Sequence, residues 1–393
     1  MNYIKNNCLF LLLSCFQIFS QKIETSLGGG IDLTNKNNIE IYELWKNYLS
    51  SNPDTLYDNP YWNASEKKKF KSYDLLKSEG FLNPSLYALE PKNIVLYIKE
   101  SGEDFLIRSM YYWINEDGSF NPLAITNVFA KKEKDSFKLY NYMPYYTLGW
   151  KTKTIGVIKY FYHEGYVLDE GNAVKANNFL EKLIKTFDLD IGSVTYYIAN
   201  DCDEVQRMKG YDYIISMGRS PNFCAFYDDS NNIIYSTVKA GEFHSHELIH
   251  AINSKYPNAS SMLLSGLSIY TTDEKSHLGK PFLVGLAKVQ AYLEKNPNID
   301  LLNFEKLPQT EGTDLYYYVG ALIADAVLKK GGINLLKDAL NCGKEDADLV
   351  EFLHLKLKMN NSQLNILLKE KIKVVNKTKK MVFLLDLSNI END

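Results

Sequence analysis

Residues 246–250 read His246-Glu247-Leu248-Ile249-His250. Two histidines four positions apart fall on one face of a helix, about one turn from each other. Both imidazoles can then reach a single zinc ion at ~2.0–2.1 Å. A glutamate beside the first histidine can take a proton from water as that water attacks a polarised carbonyl, and later pass it to the leaving amine. Type and spacing therefore assign His246 and His250 as metal ligands and Glu247 as general base. Phe243, Leu248, Ile249, Ala251 and Ile252 flank them, the pattern of a half-buried helix. Four of the six histidines lie between 244 and 277, which concentrates the chemistry here. The competing reading is a buried polar helix whose histidines are satisfied by neighbours.

The surrounding pattern predicts an α+β protein. Residues 39–49 and 65–77 have helical spacing. Residues 94–98 with 105–113, and 124–130 with 137–142, read as strand pairs across turns at Ser101-Gly102 and Lys131 to Asp135. Helices followed by antiparallel strands suggest a first α+β domain, with a curved cone-like sheet of the nuclear-transport-factor kind as one candidate. Residues 156–162, 194–198, 223–227 and 233–236 are further strands, and 232–235 is the candidate edge strand before the histidine helix. After Ala240 the pattern is mostly helical, with breaks at Gly331-Gly332 and Gly343.

From about residue 158 to 340 the chain resembles the peptidase MA-like (gluzincin) domains. In that family the zinc helix is followed by a helix reading roughly Glu-Gly-Leu-Ala-x-Tyr, and then by one reading Tyr-x-x-x-Gly-x-Phe. Here the second place holds Leu264-Ser265-Gly266-Leu267-Ser268-Ile269-Tyr270. The third holds Tyr316-Tyr317-Tyr318-Val319-Gly320-Ala321-Leu322, followed by Lys330-Gly331-Gly332 and a Leu-rich helix. The resemblance implies a zincin-like fold, zinc as cofactor and peptide-bond hydrolysis. It also implies a tyrosine assisting the transition state, with Tyr317 taken from the run Tyr316 to Tyr318. One position departs: the family's third ligand, a glutamate, corresponds to Ser265, and a hydroxyl is a poor zinc ligand. Asp273, Glu274, His277 and His244 are the candidates to replace it. If none does, the expectation becomes a pseudo-peptidase that binds a peptide, glycan or protein without cutting it.

The remaining features bound the setting. Lys+Arg number 44 against Asp+Glu 48, net −4, with no basic stripe, so nucleic acid is not an expected partner. Lys5, the apolar run 8–16 and Ile18-Phe19-Ser20 before Gln21 read as a signal peptide, too short to span a bilayer. The expected location is thus periplasmic or extracellular. Leu12-Leu13-Ser14-Cys15 is a rival lipidation signal that would anchor the chain. Beyond it no apolar stretch is long enough for a membrane helix. Cys202, Cys224 and Cys342 remain after the leader; Cys202 can pair with Cys224, but three buried inert thiols is the preferred reading. Asp201, Asp203 and Glu204 read as a solvated helix start, His163 as part of a turn and His354 as a packing residue. The expected organisation is a leader at 1–20, an N-terminal α+β domain at 21–150, a gluzincin-like domain at 151–375 and a tail at 376–393.

Overall fold

A computed structural model describes residues 23–51, 59–70, 91–218, 224–229, 231–270, 281–309 and 314–385. The expected leader, the lipidation signal, Asp273, Glu274, His277 and the tail beyond 385 lie outside the described residues. The chain is α+β and forms two compact units. The division falls between Tyr142 and Met143 rather than at 150, and Gly210–Ile215 belongs to the first unit.

The first unit contains β1 (Thr25–Leu27), α1 (Lys36–Ser50), α2 (Ala64–Phe70), β2 (Lys92–Ser101), β3 (Asp104–Ile114), β4 (Phe120–Glu133) and β5 (Ser136–Tyr140). The strands follow one another in the order β1-β2-β3-β4-β5, antiparallel except for the parallel β1–β2 pair. Buried and half-buried residues alternate along β3, as a sheet with one core face demands. Register shifts at Val95/Tyr97 and Tyr111/Tyr112 mark bulges, which bend a strand and increase its twist. Helix α1 starts at Asn35, whose side chain accepts from the Asn37 N–H. It buries Ile41, Trp45, Tyr48 and Leu49 completely. Burial of each such side chain contributes roughly 1.5–3 kcal/mol. The Trp45 indole donates to Asn93 Oδ1 at 3.1 Å, which satisfies both groups inside this core.

The second unit opens with α3 (Met143–Tyr146), β6 (Lys151–Ile155), β7 (Ile158–Tyr162), α4 (Glu170–Phe187), β8 (Val194–Ala199) and α5 (Cys202–Met208). Strand β9 (Tyr211–Ile214) belongs to the first unit, paired with β4. Strands β10 (Ala225–Asp228) and β11 (Ile233–Thr237) then complete a five-stranded sheet in the order β10-β11-β8-β7-β6. Its three inner strands are parallel and its two outer strands antiparallel. Helix α4 crosses from β7 to β8 and buries Phe179, Leu183 and Phe187. The edge beside the histidine helix is therefore β10, not residues 232–235, because the hairpin places β11 inside the sheet.

The rest of this unit is helical: α6 (Ser245–Asn253), α7 (Ser261–Tyr270), α8 (Phe282–Lys295), α9 (Leu315–Leu340), α10 (Asp346–Leu357) and α11 (Asn361–Thr378). Helix α9 breaks at Gly331 and Gly332; Gly332 sits at φ +64°, a conformation that costs a side-chain-bearing residue dearly. Helices α7 and α9 cross where Gly266 faces Gly320. A Cβ on Gly266 would overlap the Gly320 backbone, and one on Gly320 would overlap the Met262 carbonyl. A single core runs from α4 and the sheet through to Phe383 and Leu385, so these two side chains of the expected tail are packed into it. Among the described residues no helix is long and apolar enough to cross a membrane.

Candidate metal centre

Helix α6 begins one residue after His244, which has extended backbone at φ −121° and ψ 91° and serves as N-cap without a side-chain capping bond. His244 therefore escapes the helical rule that would turn it from His246. Its Nδ1 lies 3.9 Å from Glu247 Oε1, too long for a hydrogen bond. The rings of His246 and His250 stand 5.1 Å apart at 73°, as expected for one helix face. His246, Glu247 and His250 all line one cavity of about 630 Å³. Phe226, Tyr227 and Asp229, from β10 and the turn after it, line it from the sheet side.

Glu247 is 6% exposed. Burial raises its carboxyl to about 7, against the opposing effect of one backbone hydrogen bond from Tyr227. Burial also lowers His250 to about 4, with the Asp229 charge pulling the other way. The imidazole is thus neutral at pH 7, the form in which histidine binds a metal.

Asn253, one turn beyond His250, tests whether this donor set suits zinc. Its Nδ2 donates to His250 Nδ1 and to the Leu264 carbonyl, each at 3.2 Å. Its Oδ1 is buried without a hydrogen-bond partner. A histidine bound to metal through Nε2 carries its proton on Nδ1 and needs an acceptor there. Turning the Asn253 amide over supplies that acceptor from the orphaned Oδ1, at the expense of the bond to Leu264. The residues present accordingly fit two of the three protein ligands of a zinc site. Among the described residues no group of three histidine, cysteine or acidic side chains is placed to hold a metal ion. Ser265 sits on α7, where its carbonyl accepts from Ser268 Oγ at 2.7 Å.

The three tyrosines of α9 separate by environment. Tyr316 shares a 2.7 Å hydrogen bond with Ser261 Oγ. Tyr318 is packed against Phe282 with ring centroids 5.0 Å apart. Tyr317 is raised by burial first, then by the charges of Asp314 and Glu247, which puts it in electrostatic reach of the general-base candidate.

Four features read differently from the sequence. Cys202 and Cys224 form a disulfide and are not inert thiols; Cys342 is free. The bond ties the start of α5 to the residue preceding β10, the strand that lines the cavity. Glu204 is not solvated but 5% exposed. It accepts from Tyr146 Oη at 3.0 Å, the Asn200 N–H at 2.6 Å and His163 Nε2 at 2.9 Å. The His163 ring also packs on Trp150 at 4.2 Å, so this histidine is part of a network and not merely of a turn. His354 Nε2 and Asn361 Oδ1 are 2.6 Å apart, a hydrogen bond between α10 and α11 in place of simple packing.

No family model matches the chain, and no curated protein matches it.

Proposed function

We propose that the second unit is a peptidase MA-like domain that acts on peptide bonds outside the cytoplasm. The observation that carries this reading is the convergence of His246, Glu247 and His250 on one cavity beside an edge strand. His246 and His250 would hold zinc; when bound, the metal supplies Lewis acidity and acidifies a water. Glu247 lies beside the first ligand, buried and with its proton affinity raised. It takes the proton of the attacking water and delivers it to the leaving amine. Asn253 orients His250, and Tyr317 and Tyr196 are the tyrosines on which the Glu247 charge acts. The Cys202–Cys224 bond supports an extracytoplasmic setting, because such bonds persist in oxidising compartments.

Ser265 favours a second reading, a binding domain that keeps the cavity without turnover. Zinc stoichiometry on the full chain separates the two. The first reading expects about one equivalent of zinc, lost on His246→Ala, with cleavage of a peptide library reduced at least ~100-fold by Glu247→Gln. Substoichiometric zinc restored to one equivalent by Ser265→Glu, without cleavage by the parent, selects the second. Cleavage unaffected by Glu247→Gln overturns the assignment of the base.

A further inference from the structure

The second unit contains another cavity, of about 280 Å³, between α9, the end of α10 and α11. Leu322, Ala326, Leu357 and Met359 are among its apolar lining residues. Its polar lining among the described residues consists entirely of lysine: Lys329, Lys330 and Lys371. Behind them lies Asp325, fully buried. Its Oδ1 accepts from Tyr270 Oη at 2.7 Å, and its Oδ2 pairs with Lys371 and, at 3.0 Å, with Lys329. Three lysines thus line the recess over one buried carboxylate, which two of them and a tyrosine already engage. Lys330 is exposed and forms no ion pair among the described residues. An apolar recess whose rim carries uncompensated positive charge is complementary to a ligand with an apolar body and one anionic end.

Size narrows the ligand further. At roughly 30 Å³ per water-sized group, the volume takes about ten non-hydrogen atoms. We propose that this recess binds a small free amphiphilic monoanion of the medium-chain carboxylic acid class. Its hydrocarbon would lie along Leu322, Ala326, Leu357 and Met359, and its carboxylate among the three amines. Nothing in this assignment depends on zinc or on Glu247, so it stands or fails apart from the peptidase reading.

Octanoate is the probe, and isothermal titration of the full chain is the measurement. The expected result is one saturable equivalent with sub-millimolar affinity, and at least tenfold weaker binding of uncharged 1-octanol. Ala326→Trp, which fills the recess, and Lys330→Glu, which reverses the rim charge, should each weaken octanoate at least tenfold. Should Ala326→Trp fail to fold, the exposed Lys330→Glu variant carries the test alone. No saturable octanoate binding at several millimolar overturns the proposal. So does binding that Lys330→Glu leaves unchanged, and equal affinity for octanol would assign the recess to neutral apolar ligands instead.

Discussion

Two of the buried glutamates in the second unit, Glu204 and Glu247, have opposite surroundings. Glu204 accepts from a tyrosine hydroxyl, a backbone N–H and a histidine ring. Burial alone would raise its carboxyl, but these bonds outweigh burial and hold it below the ordinary range. Glu247 is enclosed more deeply, receives a backbone hydrogen bond from Tyr227, and is raised to about 7. The first carboxylate has its lone pairs committed and serves structure. The second is held at high energy as an anion and retains capacity for a proton. Two nearly inaccessible carboxyls thus take opposite roles: Glu247 is packed more deeply, and Glu204 has more donors aimed at it.

The largest effect should come from breaking the saturated site. Glu204→Ala leaves His163, Tyr146 and the Asn200 N–H without their shared acceptor, and removing one member of a buried pair typically costs about 3–5 kcal/mol. A melting point several degrees lower by calorimetry is expected; an unchanged one would dissolve the contrast. The same group gives a pH signature. Its folded pKa is depressed, so its stabilisation is present above the unfolded value of about 4.3 and is lost as pH falls below that. Glu204→Gln should therefore flatten the acid limb of stability against pH.

The unsaturated site predicts the reverse. Glu247 has a raised folded pKa, so in metal-free protein it favours the fold at low pH and opposes it as pH rises through 7. Glu247→Gln should stabilise the chelator-treated chain at pH 8 by on the order of 3 kcal/mol and match the parent at pH 4. A destabilised variant at pH 8 would mean that Glu247 is held as an anion after all. A third effect tests what keeps the cavity wall in place. Replacing Cys202 and Cys224 by serine opens a cross-link spanning 22 residues and should cost about 3 kcal/mol or less. If β10 depends on that bond, the double variant should also lose zinc affinity; unchanged metal binding would confine the disulfide to stability.

Much of the fold was readable because its signals are local. Alternation marked the hairpins of the first unit, and 3.6-residue periodicity marked α4, α6, α7 and α9. The spacing of His246, Glu247 and His250 placed them on one face without reference to anything distant. What escaped depends on contacts far apart in sequence. Strand β9 pairs with β4 across some 85 residues, between Ala124–Thr126 and Tyr211–Ile214. Glu204 reads as solvated in the sequence because its partners, Tyr146 and His163, lie 58 and 41 residues away. The edge strand was misplaced by one, since hydrophobicity favours β11, which lies inside the sheet and is buried at every position, over half-buried β10. The Cys202–Cys224 pair could be named but not chosen, because three thiols alone do not specify a partner.

The crossing of α7 and α9 at Gly266 and Gly320 bears on how this chain can change over generations. Neither glycine has room for a methyl group, so drift at those two positions is closed off by the packing itself. Ser265, half-buried on the same helix, is under no such constraint. The packing therefore holds Gly266 and Gly320 in place while the adjoining position already carries a side chain, so on the peptidase reading one replacement at Ser265 would change the ligand set without rebuilding the fold.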